Sequence, residues 1–150
     1  MPNTLTDNVA MLEHIDLYLP PQPKRELSEF PSDISALQPL EISNLLIEYT
    51  GWFAYASGME AYASAEASLL KGNLEKLASR LYSTSNLKTI EDRKNDRFTS
   101  KEYCDLSLEW QAAETRRTLL KSLTDSYDKM IWALSRCLTV LATETERSKY

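Results

Sequence analysis

Residues 41–150 contain no proline, and glycine occurs three times in the chain, at Gly51, Gly58 and Gly72. Proline breaks a helix interior and tight β turns call for glycine, so both scarcities predict long helices and an all-α fold. Histidine occurs once, at His14, and there is no CxxC pair, HExxH motif or Gly-rich phosphate loop. The usual ligands for a metal or a nucleotide cofactor are therefore missing, and none is predicted. No second histidine is present to serve as a base, which argues against nucleophilic catalysis and against an enzyme. Cys104 and Cys137 lie 33 positions apart in one predicted helix, too far to bridge, and read as free thiols. Charges interrupt the apolar runs well before the roughly 20 residues that a membrane span requires. Residues 1–10 lack a basic stretch and are followed by Glu13, His14 and Asp16, so no signal peptide is read and a cytoplasmic protein is expected.

What is present is an unequal distribution of charge. The chain is acidic, with 17 Lys or Arg, 22 Asp or Glu and a net charge of −5. Residues 71–101 run the other way, carrying Lys71, Lys76, Arg80, Lys88, Arg93, Lys94, Arg97 and Lys101 against Glu75, Glu91, Asp92 and Asp96. An imbalance of this kind bears on partners rather than on fold. With 43% hydrophobic residues over 150 positions, the chain has the means to bury one real core.

Leu5, Val9, Leu12, Ile15 and Leu19 recur at helical spacing and predict a short amphipathic helix over residues 5–19. Pro20, Pro21, Pro23, Pro31 and Pro39 then predict an extended linker. From residue 41 to about residue 82 a seam follows, made of Leu45, Tyr49, Trp52, Ala56, Met59, Ala63, Glu66, Leu70 and Leu77. Gly51, Ala54, Gly58, Ala61, Ala65 and Ser68 form a second, small-residue stripe that suits close helix approach. Ser83, Thr84, Ser85 and Asn86 break the pattern, and a short polar helix is expected over residues 87–97. Thr99 and Glu102 have capping-box spacing at the start of the last helix. That helix repeats in heptads: Tyr103, Trp110, Arg117, Thr124, Ile131 and Leu138 at one core position, and Leu106, Ala113, Leu120, Tyr127, Leu134 and Leu141 at the other. Leu123, Met130 and Cys137 widen its apolar face, and residues 143–150 are polar enough to fray.

The predicted architecture is a long antiparallel helical hairpin, coiled-coil-like, after a short N-terminal helix and a Pro-rich linker. Residues 1–40 form the acidic arm, and residues 41–150 form the hairpin domain with a basic connector at 83–100. If the hairpin folds about a centre near residue 91, facing positions add to about 182. Glu66 and Arg117 are the charged exceptions on the two seams and come close to that rule, which predicts a structural ion pair that sets register. Trp52 and Trp110 lie on the seams and read as core. Trp132 lies beside the seam and suits a subunit contact.

The eight cations of 71–101 are candidates for neutralising nucleic-acid phosphates, with Tyr82 and Phe98 placed to stack on unpaired bases. Paired as helix-surface charges, the same residues would form an ordinary solvated face. Assembly of several copies would join weak basic tips into one multivalent surface.

The stretches Ser79-Arg80-Leu81-Tyr82 and Leu87-Lys88-Thr89-Ile90-Glu91-Asp92-Arg93-Lys94 precede a long helix with Trp110 and Tyr127 that leads to Ala133-Leu134-Ser135-Arg136. This arrangement resembles bacteriophage recombination mediators of the UvsY-like type over roughly residues 41–145. The resemblance implies a ring-forming homo-oligomer that binds single-stranded DNA and helps a RecA-like recombinase displace single-strand-binding protein in the host cytoplasm. It also matches Arg80 to the position of a DNA-binding arginine and Lys88 to the lysine of a Lys-Thr pair. Ala78 stands where the family carries a basic residue. The competing reading is a helical protein-binding accessory factor, or an inhibitor of a host nucleoprotein, acting through the acidic residues 1–66.

Overall fold

The computed structural model describes residues 21–149. The helix expected over residues 5–19, together with His14 and Pro20, lies outside the described residues. Among the described residues the chain is all-α, with α1 (Pro39–Thr84), α2 (Ile90–Asp96) and α3 (Lys101–Arg147), and with 3₁₀ turns at Ile34–Ala36 and Arg97–Thr99. α1 and α3 form the anticipated helical hairpin.

Local chemistry accounts for where the elements begin. Pro39 is not part of an extended linker; it occupies the first helical position of α1, where its missing N–H costs nothing. Glu41 Oε2 accepts from the backbone N–H of Gln38 at 2.8 Å, the return half of a capping box. At the other end α3 continues to Arg147 instead of fraying from residue 143. Thr143 and Thr145 donate to the carbonyls of Thr139 and Leu141, which keeps both hydroxyls satisfied inside the helix.

The chain divides into two compact units. One contains the described residues of 18–60 and 120–150. Its core joins Ile42, Tyr49 and Ala56 of α1 to Tyr127 and Leu134 of α3, and Ile42 and Leu134 are both 0% exposed. The proline-rich arm covers this core, with Leu27, Phe30, Ile34 and Leu37 packed against it. Tyr49 holds the arm in place. Its hydroxyl donates to the Ser28 carbonyl at 2.8 Å, and its ring meets Phe30 and Tyr127 edge to face at 5.6 and 6.0 Å. Burial pushes the Tyr49 phenol above its usual pKa, with the nearby Glu48 charge adding to the effect. Glu48 also accepts from the Ser28 N–H at 2.7 Å. Gly51, on the small-residue stripe, faces Pro23 of the arm, where an added Cβ would lie 3.8 Å from Cγ in ordinary contact.

The described residues of the other unit are Ala61–Leu119. Ala67 and Leu70 pack on Ala113, and Leu74 and Leu77 pack on Tyr103, with Leu106 and Trp110 at the margins. A seven-residue repeat on a straight helix drifts by about 20° per heptad, so the second core position moves from the Leu45, Trp52, Met59 series to Ala67 and Leu74. Glu66 thereby leaves the seam centre. Its carboxylate accepts from Arg116 Nη1 at 2.7 Å, so the salt bridge at Glu66 comes from the residue before the expected partner. Arg117 donates instead to Glu114, one turn earlier on its own helix. The centre-of-hairpin rule holds, and Glu66 with Arg116 satisfies it to the residue.

Further seam anomalies resolve locally. Thr124, 8% exposed, donates its hydroxyl to the Leu120 carbonyl at 2.9 Å and so enters the core with its polar atom satisfied. Leu123, expected to widen the apolar face, is 42% exposed, whereas Met130 and Cys137 do pack on the core. The buried small residues of α1 are Ala56, Ala63 and Ala67; on the predicted small-residue stripe, Gly51, Ala61 and Ser68 are exposed. Trp52 and Trp110 pack against cores, while Trp132 is 62% exposed under the Arg136 guanidinium.

Leu134→Ala is expected to lower unfolding free energy by about 2–5 kcal/mol, and Trp132→Ala by no more than about 0.5 kcal/mol in the monomer. Urea denaturation checks both, and equal losses would contradict this assignment of core and surface. A double-mutant cycle on Glu66 and Arg116 is expected to give a coupling of about 0.5–1 kcal/mol. A coupling indistinguishable from zero would remove the pair as a register device.

Candidate nucleic-acid interface

The connector between α1 and α3 is tied together mainly by short polar side chains. Thr89 caps α2 by accepting from the Asp92 N–H at 3.1 Å, and Asp92 returns a contact to the Thr89 hydroxyl. Ser85 donates to Asp96 Oδ2 at 2.8 Å, and Thr99 donates to the Asp96 carbonyl at 2.7 Å. The expected capping box at Thr99 and Glu102 does not form. Ser100 caps α3 instead, accepting from the Tyr103 N–H at 3.3 Å, because Thr99 is engaged in the preceding 3₁₀ turn. Glu102 is drawn to Arg80, 3.0 Å away, in a bridge whose partners are 61% and 56% exposed and which adds little stability.

These bonds engage both aspartates of the connector. Asp92 and Asp96 bond to Thr89, Ser85 and Thr99, so two of the four carboxylates that interrupt the basic segment are held by hydroxyls within the connector. The cations fall into different settings. Arg93 Nε donates to the Leu87 carbonyl at 2.6 Å, which holds the guanidinium across the turn instead of letting it project. Arg97 lies with its guanidinium carbon 4.9 Å from the Phe98 ring and 5.6 Å from the Tyr103 ring, and these two rings meet edge to face at 5.8 Å. Its Nε is buried and lacks a hydrogen-bond partner among the described residues.

Arg93, Lys94 and Arg97 come together at an open pocket of about 340 Å³ that is completed by Ala78, Ser79, Tyr82 and Ser83 from the end of α1. The lining contains three cations and no carboxylate. The other cations do not join them there. Lys71 lines a separate depression with Ser64, Ser68, Trp110, Glu114 and Arg117. Lys76 lies five positions from Lys71, about 140° around the helix. Lys76, Lys88 and Lys101 are exposed and make no ion pair among the described residues. Arg80 is occupied by Glu102. Phe98 is 57% exposed, while Tyr82 is half-buried in the pocket wall.

Ser79 and Ser83 were not singled out from the sequence as site residues. Their i,i+4 spacing on the last turns of α1, where Ser83 donates to the Ser79 carbonyl at 2.9 Å, was the available signal. No group of three or more His, Cys, Asp or Glu among the described residues is arranged to hold a metal ion.

Ser100→Ala is expected to cost about 1 kcal/mol of stability and Thr99→Ala no more than about 0.5 kcal/mol in thermal unfolding. The reverse order would return the cap to Thr99. Comparison with protein-family models, with curated proteins and with solved structures gives no match for this chain. The likeness to recombination mediators therefore rests on the residues quoted for it.

Proposed function

We propose that this chain is a non-enzymatic single-strand nucleic-acid-binding protein that works as a homo-oligomer and serves as a recombination mediator, assisting a RecA-like recombinase against single-strand-binding protein. The observation that carries the binding part is the state of the connector. Lys88, Lys94 and Lys101 are exposed and make no ion pair among the described residues, and the same stretch of chain carries an exposed aromatic, Phe98, whose ring is held in place by Tyr103. Lysines that track a phosphate backbone and an aromatic that receives a base are the two components of sequence-tolerant single-strand binding. The mediator role follows from the resemblance alone.

Two further features support this reading over a partner surface on the arm. The described part of the arm is committed to its own core through Leu27, Phe30, Ile34 and Leu37. On α3, Leu108, Leu119, Trp132 and Val140 are at least half exposed, and contact between copies would bury them. A single connector has few cations, so affinity depends on several copies acting together.

Binding to a single-stranded oligonucleotide is expected to weaken steeply with salt. Replacing Lys88, Lys94 and Lys101 together by Ala should lower the slope of log K against log salt by about 2. The check is fluorescence anisotropy over a salt series, with mass in solution measured alongside. An intact oligomer that fails to bind at low salt would end the proposal.

A further inference from the structure

The eight cations of the basic segment are not equivalent. Five are lysines, which bring compact point charges on flexible stems, and three are arginines, whose planar forks match phosphate oxygens. Of the arginines, Arg80 is spent on Glu102, while Arg93 and Arg97 are immobilised at the pocket. A guanidinium already held by a backbone carbonyl or by aromatic rings gives up less entropy when it binds an oxyanion.

We propose that the pocket lined by Ser79, Tyr82, Ser83, Arg93, Lys94 and Arg97 is a preorganised seat for a single phosphate group of a nucleotide. This rests on the single-strand reading and narrows it. The exposed lysines act as a diffuse field, and the pocket is the one place where each copy grips a defined phosphate. Chemistry and geometry agree on the ligand. Three cationic side chains converge without a carboxylate in the lining, which favours an anion over a cation or a neutral group. Arg93 keeps both terminal nitrogens for the ligand, because the one hydrogen bond of its side chain among the described residues, to the Leu87 carbonyl, is made by Nε. The Arg97 side chain makes no hydrogen bond among the described residues, and its buried Nε–H leaves a donor unsatisfied, a cost that the structure bears unless an acceptor arrives. The side chains of Lys94 and Ser79 make no hydrogen bond among the described residues either, and so remain available. At about 340 Å³ the space exceeds the roughly 30 Å³ share of one water several times over, enough for a phosphate with part of its sugar. Phe98 packs against Arg97 at the neighbouring turn, where the base attached to that sugar would meet an aromatic face.

The Nε–H groups of Arg93 and Arg97 are, respectively, hydrogen-bonded and buried, so both should exchange slowly enough to be followed by ¹⁵N NMR in the full-length protein, with Arg93→Lys and Arg97→Lys assigning the signals. Four probes separate the sources of phosphate: the dithymidine monophosphate with one internal diester, thymidine 5′-phosphate with a terminal monoester, inorganic phosphate, and thymidine without phosphate. Saturable shifts of both signals with either nucleotide, and none with thymidine at equal concentration, are the expected result. Lys94→Ala, at an exposed position, should weaken that binding about tenfold. The proposal is overturned if neither nucleotide moves the signals at millimolar concentration, if thymidine moves them equally, if inorganic phosphate alone does so, or if Lys94→Ala leaves the affinity unchanged. Salt-sensitive binding of a long single strand with both signals unmoved would reject the pocket and leave the wider function standing. Saturable shifts with the nucleotides, together with a long strand bound no more tightly than the dinucleotide, would do the opposite.

Discussion

Burial of one α1 side chain every seven residues is the constraint on which this molecule depends. Ile42, Tyr49, Ala56, Ala63, Leu70 and Leu77 are all at most 6% exposed and recur at that interval along α1. Apolar burial is the main force available to a chain whose two cysteines are free, and six of the twelve buried apolar residues among the described ones lie on this strip. Small and large residues share the strip. Alanines at Ala56, Ala63, Ala67 and Ala113 admit a facing helix closely, and Tyr49, Leu70 and Tyr127 fill the wider places. Polar side chains are tolerated there on strict terms, as Thr124 shows by returning its hydroxyl to its own helix. Glu66 sits just off the strip and is met by Arg116.

The same constraint reaches the arm and the connector. With α1 committed to its seam, the apolar surface around Tyr49 needs further cover, and Phe30 and its neighbours in the arm provide it. At the far end the seam closes on Tyr103, whose ring then supports Phe98 and Arg97. An arginine of the candidate site is thus held in place by a core residue, which couples core packing to the electrostatics of the connector.

Much of the fold was legible in particular residues. The missing prolines, the heptads of α3 and the break at Ser83 to Asn86 are local signals, and local signals determine helices well. Boundaries were read less well where two local options compete. Thr99 and Ser100 are both good caps, and the choice between them turned on the Asp96 carbonyl that Thr99 reaches. Pro39 read as linker because proline both ends and starts helices, and Glu41 at the third helical position decided in favour of a start. The Glu66 partner was displaced by one residue because a seven-residue pattern does not divide evenly into turns of 3.6.

The sequence by itself determined the all-α class, the hairpin, and a basic segment set in an acidic chain, since each follows from composition and short-range periodicity. Only the tertiary structure decided which cations act together. Eight bases separated by four acids are a weak charge run on paper. Chain reversal brings the end of α1 against α2, the connector's hydroxyls engage Asp92 and Asp96, Glu102 takes up Arg80, and three cations remain around one pocket with no acid in its wall. That sorting depends on contacts between residues distant in sequence, and a helical period carries no information about them.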